Sequence, residues 1–187
     1  MSPSTSPSRR DFLKTAAGAG IVLAHASANN AQAAAPNNKG MTLATAPKME
    51  TVRVGLIGVG ARGGGHLGTL LTLEGVQITA IADNHEPSLS KALARVKKAE
   101  RPDPAAFGNG DQDYKNMLER EDVDIVIIAT PWSWHTVMCV DAMNAGKHAF
   151  TEVPAAVTVE ECWQLVDTSE KTGKLCMMLE NVNYGRE

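Results

Sequence analysis

The chain is poor in cysteine, in aromatic side chains, in long apolar runs and in clustered positive charge. Its three cysteines, Cys139, Cys162 and Cys176, lie far apart, which excludes a disulfide scaffold and any Cys-x-x-Cys metal site. No apolar run approaches the roughly 18 residues that a membrane-spanning helix needs. Lys and Arg total 18 against 21 Asp and Glu, a net charge of −3 with no dense basic block. A dedicated nucleic-acid binder is therefore not expected. Neither a Ser-His-Asp arrangement nor a metal cluster of workable spacing occurs, and no repeat at a solenoid period is visible. What remains is ordinary: 43% hydrophobic and 21% charged residues over a length of 187. That excludes a wholly disordered chain and suits one domain or slightly more.

The first forty residues read as an address. Ser8-Arg9-Arg10-Asp11-Phe12-Leu13-Lys14 is followed by a modest apolar stretch, 15–24, and then by Ala31-Gln32-Ala33. Charged region, apolar stretch and small-x-small site, in that order, make a signal peptide over residues 1–33. The paired arginines resemble the twin-arginine type, so the expected location is periplasmic or extracellular. Proteins exported this way travel folded, and a nicotinamide cofactor would have to leave tightly bound and be regenerated in place. Residues 34–50 are aperiodic and read as a flexible linker, which leaves 51–187 as the folded domain.

From Thr51 onward strands and helices alternate. The β-branched runs Val52–Ile57 and Val76–Ala82 read as strands, as do Lys147–Thr151 and Leu175–Leu179, with a short one at Ala105–Phe107. Asp124–Ala129 is nearly continuous in apolar residues, the mark of a strand buried on both faces. Helices are expected over 64–73, 87–99, 111–120, 133–145 and 158–172. In the last, Thr158 and Glu161 are spaced as a capping box and Gly173 follows the final turn. In the second, Leu89, Leu93 and Val96 share one face, while Lys91, Lys97, Lys98 and Arg101 read as a solvated surface. The alternation predicts an α/β fold: a doubly wound, mainly parallel sheet of Rossmann type, with helices on both faces.

Ligands of such sheets bind beyond the carboxyl ends of the strands, and every unusual cluster of this sequence falls there. After the first strand comes Gly58-x-Gly60-x-x-Gly63, with Ala61 and Arg62 inside it. Gly58 suits a tight turn, Gly60 lets backbone approach a pyrophosphate, and Gly63 permits close helix–strand contact. The following helix start offers amide donors and a positive dipole end. Asp83, at the end of the second strand, is placed to accept from the adenosine ribose hydroxyls. Its charge favours NAD over NADP, although Arg62 is the type of residue that accommodates a 2′-phosphate.

Two of the chain's three tryptophans occur in Trp132-Ser133-Trp134, although aromatic residues make up only 4% of the total. Such rings stack on a nicotinamide or a sugar face, or else cover core. His135 reads equally as a group that touches cofactor or substrate and as a first-turn histidine bonded to backbone. Glu152, ahead of Pro154, is placed to hold the nicotinamide ribose. Asn181 offers a donor and an acceptor on the same rim. His66, in the first turns after the glycine loop, reads as packing, and His85 and His148 stand alone.

Together these residues resemble the glucose–fructose oxidoreductase, inositol dehydrogenase and MocA superfamily. Its dehydrogenases carry Glu-Lys-Pro after the fifth strand, whereas Val153 stands here in place of the lysine. Three motifs are similar to glycoside hydrolase family 109, typified by α-N-acetylgalactosaminidase. They are Thr130-Pro131-Trp132-x-Trp134-His135, Thr151-Glu152-Val153-Pro154-Ala155-Ala156, and the segment from Met177 to Arg186.

The resemblance implies a glycosidase that retains NAD. It would oxidise the sugar C3 hydroxyl, eliminate the aglycone after loss of the C2 proton, add water and return the hydride. It further implies NAD contacts from Ala61, Arg62, Asp83, Trp132, Ser133, Trp134, His135, Glu152, Val153 and Asn181. Relatives of this kind continue into a second, sheet-containing domain that supplies the acid/base groups and meets the glycoside. The implied reading of the 187 residues is thus an inactive cofactor half, with its C-terminal substrate domain missing and catalytic residues downstream of Glu187. A homo-oligomer stays open. Two other readings are a sugar dehydrogenase of the same superfamily and a non-catalytic dinucleotide-binding module.

Overall fold

The structure is a computed structural model that describes residues 48–180. The leader, nearly all of the linker, and Asn181 lie outside the described residues. The elements are β1 (Val52–Ile57), α1 (Ala61–Leu70), β2 (Val76–Ala82), α2 (Glu86–Lys98), β3 (Ala105–Phe107), α3 (Tyr114–Leu118), β4 (Ile125–Ile128), α4 (Trp132–Asn144), β5 (His148–Thr151), α5 (Val159–Thr172) and β6 (Cys176–Met178). The six strands form one sheet in the order β3-β2-β1-β4-β5-β6, and every neighbouring pair is parallel. This is the doubly wound arrangement that the alternation predicts.

Side chains alternate across the strands and make two cores. Val54 and Leu56 of β1 pack with Leu67 of α1 and with Leu89, Ala92 and Val96 of α2. On the other face Val126 and Ile128 of β4 meet Met138, Cys139, Ala142 and Met143 of α4, together with Leu165 of α5. The chain therefore winds over one face after β1 and over the other after β4. These two strands are neighbours, so a cleft opens where the windings diverge.

One irregularity was not visible in the sequence. The β1–β2 register runs from Val54↔Ile78 to Gly55↔Ala80, skipping Thr79. That bulge restarts the alternation, so Ile78 and Ile81, three apart, both face the α1–α2 side. The Thr79 hydroxyl is buried there without a hydrogen-bond partner.

Helix boundaries follow tertiary contacts more than propensity. Helix α1 begins at Ala61 and ends at Leu70, three residues ahead of the stretch expected from periodicity, because its first turn is built from the glycine motif itself. Helix α3 is shorter than expected, and the polar residues 111–113 form a turn before it. Arg101 belongs to no solvated face: its guanidinium donates to the carbonyls of Leu71 and Leu73, beyond the end of α1. Helix α5 matches the expectation. The Thr158 hydroxyl accepts from the Glu161 amide at 3.1 Å, and the Glu161 carboxylate accepts from the Thr158 amide at 3.1 Å. Gly173 closes the helix in the left-handed region at φ 68°. Thr158→Ala should lower stability by about 1 kcal/mol in a denaturant titration, as loss of an N-cap does elsewhere. An unchanged midpoint would show that the box contributes nothing here.

Candidate functional site

The rim grows directly out of the sheet. Ladder bonds continue past the strand ends: the Gly58 amide donates to Ala82 O, that of Asp83 to Phe107 O, that of Ala129 to Ile57 O and that of Glu152 to Ile128 O. The starts of the loops after β1, β2, β4 and β5 are thus held side by side. Between them lies a cleft of about 330 Å³ that reaches from Gly58 and Gly60 across Asp83 to Phe107 and Tyr114, with Pro131, Trp134 and Met138 opposite.

The glycine turn shows why its residues are small. Gly58 has φ 79°, and a Cβ there would come within 2.7 Å of Ala129 O. A Cβ on Gly63 would lie 1.9 Å from Gly58 O. At Gly60 the same construction meets nothing within 4 Å, so the backbone there is open to an incoming group. Gly60 is also the N-cap of α1, and no side chain caps that end. The unpaired amides of the first turn, Ala61 to Gly63, and the helix dipole are left to an anion. This geometry fits a pyrophosphate.

Asp83 is held in place by two amides: Val59 N–H donates to one carboxylate oxygen at 2.7 Å and His85 N–H to the other at 2.8 Å. Carboxylate oxygens accept more than one bond each, so capacity remains for ribose hydroxyls. Beyond Asp83 the cleft is lined by Phe107 and Tyr114, an apolar bed suited to a base. The Tyr114 hydroxyl donates to Asp141 at 2.6 Å. Burial and that bond push its ionisation well above the ordinary phenol value, so the ring presents no charge.

Glu152 is a buried carboxylate bonded to Arg62 and His66. Its Oε1 takes Arg62 Nε at 2.8 Å and His66 Nε2 at 2.6 Å, and its side chain is 7% exposed. Burial alone would raise its carboxyl. The bond from His66 and the charge of Arg62 outweigh burial and hold the group below the usual range. The second oxygen has only a 3.4 Å contact with its own neighbour, the Val153 amide; Glu152 itself is not among the residues lining the cleft. Arg62 is thereby committed to the β5 side. Among the residues lining the cleft two are acidic, Asp83 and Asp111, and none is Lys or Arg. The room that Arg62 left for a 2′-phosphate is not found at the Asp83 end.

Of the residues singled out by sequence, Gly58, Gly60, Asp83 and Trp134 line the cleft. Ala61, Arg62 and Gly63 form the first turn of α1 beside it. Trp132 and Ser133 open α4 on the exposed rim, and Trp132 is 65% exposed. His135 is fully buried, with Nδ1 on Pro154 O at 2.7 Å and Nε2 on Thr130 O at 2.8 Å. It joins the loops after β4 and β5 and has no ring nitrogen free for a ligand. Glu152 and Val153 follow β5, and Asn181 is not among the described residues. Asn84, which follows Asp83 on the rim, lines the cleft as well, and so does His85, set aside as standing alone; sequence reasoning missed Phe107, Asp111, Tyr114 and Met138, which share the cleft. It also read His66 as packing, although His66 stands one turn from Arg62 on the same face of α1, a spacing that signals a shared partner.

Among the described residues no group of three or more His, Cys, Asp or Glu is arranged to hold a metal ion. No helix there is long and apolar enough to cross a membrane.

Residues 52–180 match the GFO/IDH/MocA family model, described as an oxidoreductase family with an NAD-binding Rossmann fold. The chain is 53% identical over 185 residues to glycosyl hydrolase family 109 protein 1 of Shewanella sp. strain ANA-3. It is 52% identical, again over 185 residues, to an alpha-N-acetylgalactosaminidase of Shewanella oneidensis. Each match takes in 96% of this chain and 40% of the relative, so the chain spans about two fifths of the length of the curated relatives it matches. Among solved structures, the WlbA dehydrogenase of Chromobacterium violaceum, in complex with NADH and UDP-GlcNAcA, superposes with a TM-score of 0.61 at 24% identity, over 71% of this chain and 36% of that one. The apo scyllo-inositol dehydrogenase of Lactobacillus casei gives 0.59 at 22% identity, over 71% and 37%. At these identities the two structures speak for the fold.

Proposed function

The chain belongs to the GFO/IDH/MocA oxidoreductase family, whose domain is an NAD-binding Rossmann fold, and from that premise we propose that it is the nucleotide-holding part of an exported glycosidase of the α-N-acetylgalactosaminidase kind. The observation that carries this reading is 52% identity, across 96% of the chain, to an enzyme of that name. Val153, where dehydrogenases of the superfamily carry a lysine, supports it further. The arginine-pair leader supports export, and export supports retention of the nucleotide.

Within the proposal each residue has a task. The first-turn amides of α1 take the pyrophosphate, and Gly60 gives it room. Asp83, fixed by two backbone amides, accepts the adenosine ribose hydroxyls. Phe107 and Tyr114 form the bed for the adenine. Glu152, charged and anchored through one oxygen, presents the other to the nicotinamide ribose. NAD when bound supplies a hydride acceptor, which permits transient oxidation at the sugar C3 hydroxyl and hence elimination and water addition without net redox change. The acid/base groups and the glycoside contacts are assigned to the part of the relatives' length beyond this domain.

The test uses the protein purified from its natural source. Denaturation should release NAD, read by absorbance and enzymatic cycling, and a chromogenic α-N-acetylgalactosaminide should be cleaved with no cofactor added. Accumulation of NADH with free sugars would replace this reading with that of a sugar dehydrogenase. Bound NAD with neither activity would leave a binding module. The first residue of the exported form should be Ala34.

A further inference from the structure

The loops after β2 and β3 meet over the adenosine end of the cleft. Asn84, next to Asp83, donates its side-chain amide to Asp111 Oδ1 at 2.6 Å. The two residues are 27 positions apart, both are exposed, and both line the cleft. Asp83 is fixed by its two amide donors, and Asp111 is fixed by Asn84. The end of the cleft that receives the adenosine ribose therefore carries two positioned carboxylates and, among its lining residues, neither Lys nor Arg. Arg62, in the first turn of α1, is turned to Glu152, and Arg95 donates to the Gly64 carbonyl.

We propose that Asp111, clasped by Asn84, is a second specificity-determining residue: it excludes a 2′-phosphate and so enforces NAD over NADP. This rests on the reading that the adenosine ribose lies at Asp83. The physical reason is a difference between two ligands. A ribose hydroxyl can donate to a nearby carboxylate, whereas a 2′-phosphate brings about two negative charges towards it. Discrimination of this kind comes from repulsion of the wrong ligand and not from extra attraction to the right one. Asn84 has a double part, since it fixes the acid and closes the gap between the two loops without adding charge. Because the cleft is open to solvent, the effect is moderate and sensitive to salt.

The experiment titrates NAD and NADP, by calorimetry, into the nucleotide-free full chain carrying Asp111→Asn, Asn84→Ala or Asp83→Asn. Asp111→Asn keeps an acceptor for Asn84 and removes only the charge. It should shift the NADP-to-NAD affinity ratio about tenfold towards NADP, change NAD affinity less than about threefold, and leave the melting temperature unaltered. The shift should shrink at 1 M salt, where the Debye length is about 3 Å. Asn84→Ala should move the ratio in the same direction by less, because the acid is retained but no longer held. A ratio unchanged in Asp111→Asn, with Asp83→Asn weakening NAD, overturns the role of Asp111 and leaves the nucleotide reading intact. A wild-type chain that binds neither nucleotide, or an Asp83→Asn variant that binds NAD as tightly as wild type, overturns both.

Discussion

Gly63→Ala is expected to yield protein without bound nucleotide and with a melting temperature lower by about 10 °C. The added methyl would stand 1.9 Å from Gly58 O, 2.9 Å from Gly58 C and 3.3 Å from the Ala129 side chain. The first two are backbone atoms of the turn that carries the phosphate site, so no side chain can swing aside to relieve them. Helix α1 must move away from the turn, and overpacking of this kind costs about 3 kcal/mol at the upper end of its usual range. The same displacement pulls the first-turn amides away from their target, so stability and binding fall together. Gly60→Ala makes the contrast. Its methyl meets nothing within 4 Å, so stability should change by less than about 1 kcal/mol, yet the methyl would occupy space that the proposed pyrophosphate needs. Differential scanning fluorimetry and absorbance of the denatured supernatant read both quantities. A Gly63→Ala protein that keeps its nucleotide and its melting point would sink the account of this turn.

The contrast between those two glycines also shows what a sequence can carry. Their spacing was legible, and so was the run of β-branched residues in β1 and β2, because each reports a local demand of the backbone. The Thr158 capping box and Gly173 were legible for the same reason. The start of α1 was not: residues 63–65 are three glycines with poor helix propensity, and only their contact with the turn makes them helical. Nor was the Thr79 bulge, since nothing in Val-Gln-Ile-Thr-Ala-Ile-Ala marks which residue leaves the ladder. The two tryptophans stand two apart on a helix, so they point in different directions. Trp134 reaches the cleft and Trp132 stands out into solvent, and the phase is set by where α4 begins. The pairings that tie the site together, His66 with Glu152 and Asn84 with Asp111, span 86 and 27 residues. They follow from sheet order, which places the ends of β1 and β5 and those of β2 and β3 on one rim. Without that order, His66 is a lone histidine and Asp111 a loop acid.

Glu152→Gln is expected to destabilise the protein by about 2 kcal/mol at neutral pH and to weaken nucleotide binding about tenfold. The amide keeps one oxygen for two donors, Arg62 and His66, and loses the charge that strengthens both bonds. Arg62 is 52% exposed and can turn to water, which keeps the cost below that of a fully buried broken pair. The tenfold loss corresponds to 1.4 kcal/mol, about one charge-assisted bond from Glu152 Oε2 to the proposed ribose. The pH dependence gives a second, independent readout. Glu152 is held below its ordinary value of 4.5 when folded, so on acidification the unfolded chain takes up the proton first. Its contribution is therefore fully present above about pH 4.5 and is lost as the pH falls through the lower, folded value. Asp113, Asp122 and Asp124 are shifted in the same direction, so only the difference between wild type and variant isolates Glu152. That difference should close towards zero as the pH falls below about 4.5. A gap that persists undiminished into strong acid would mean that shape, and not charge, is what Glu152 contributes to the joint between α1 and β5.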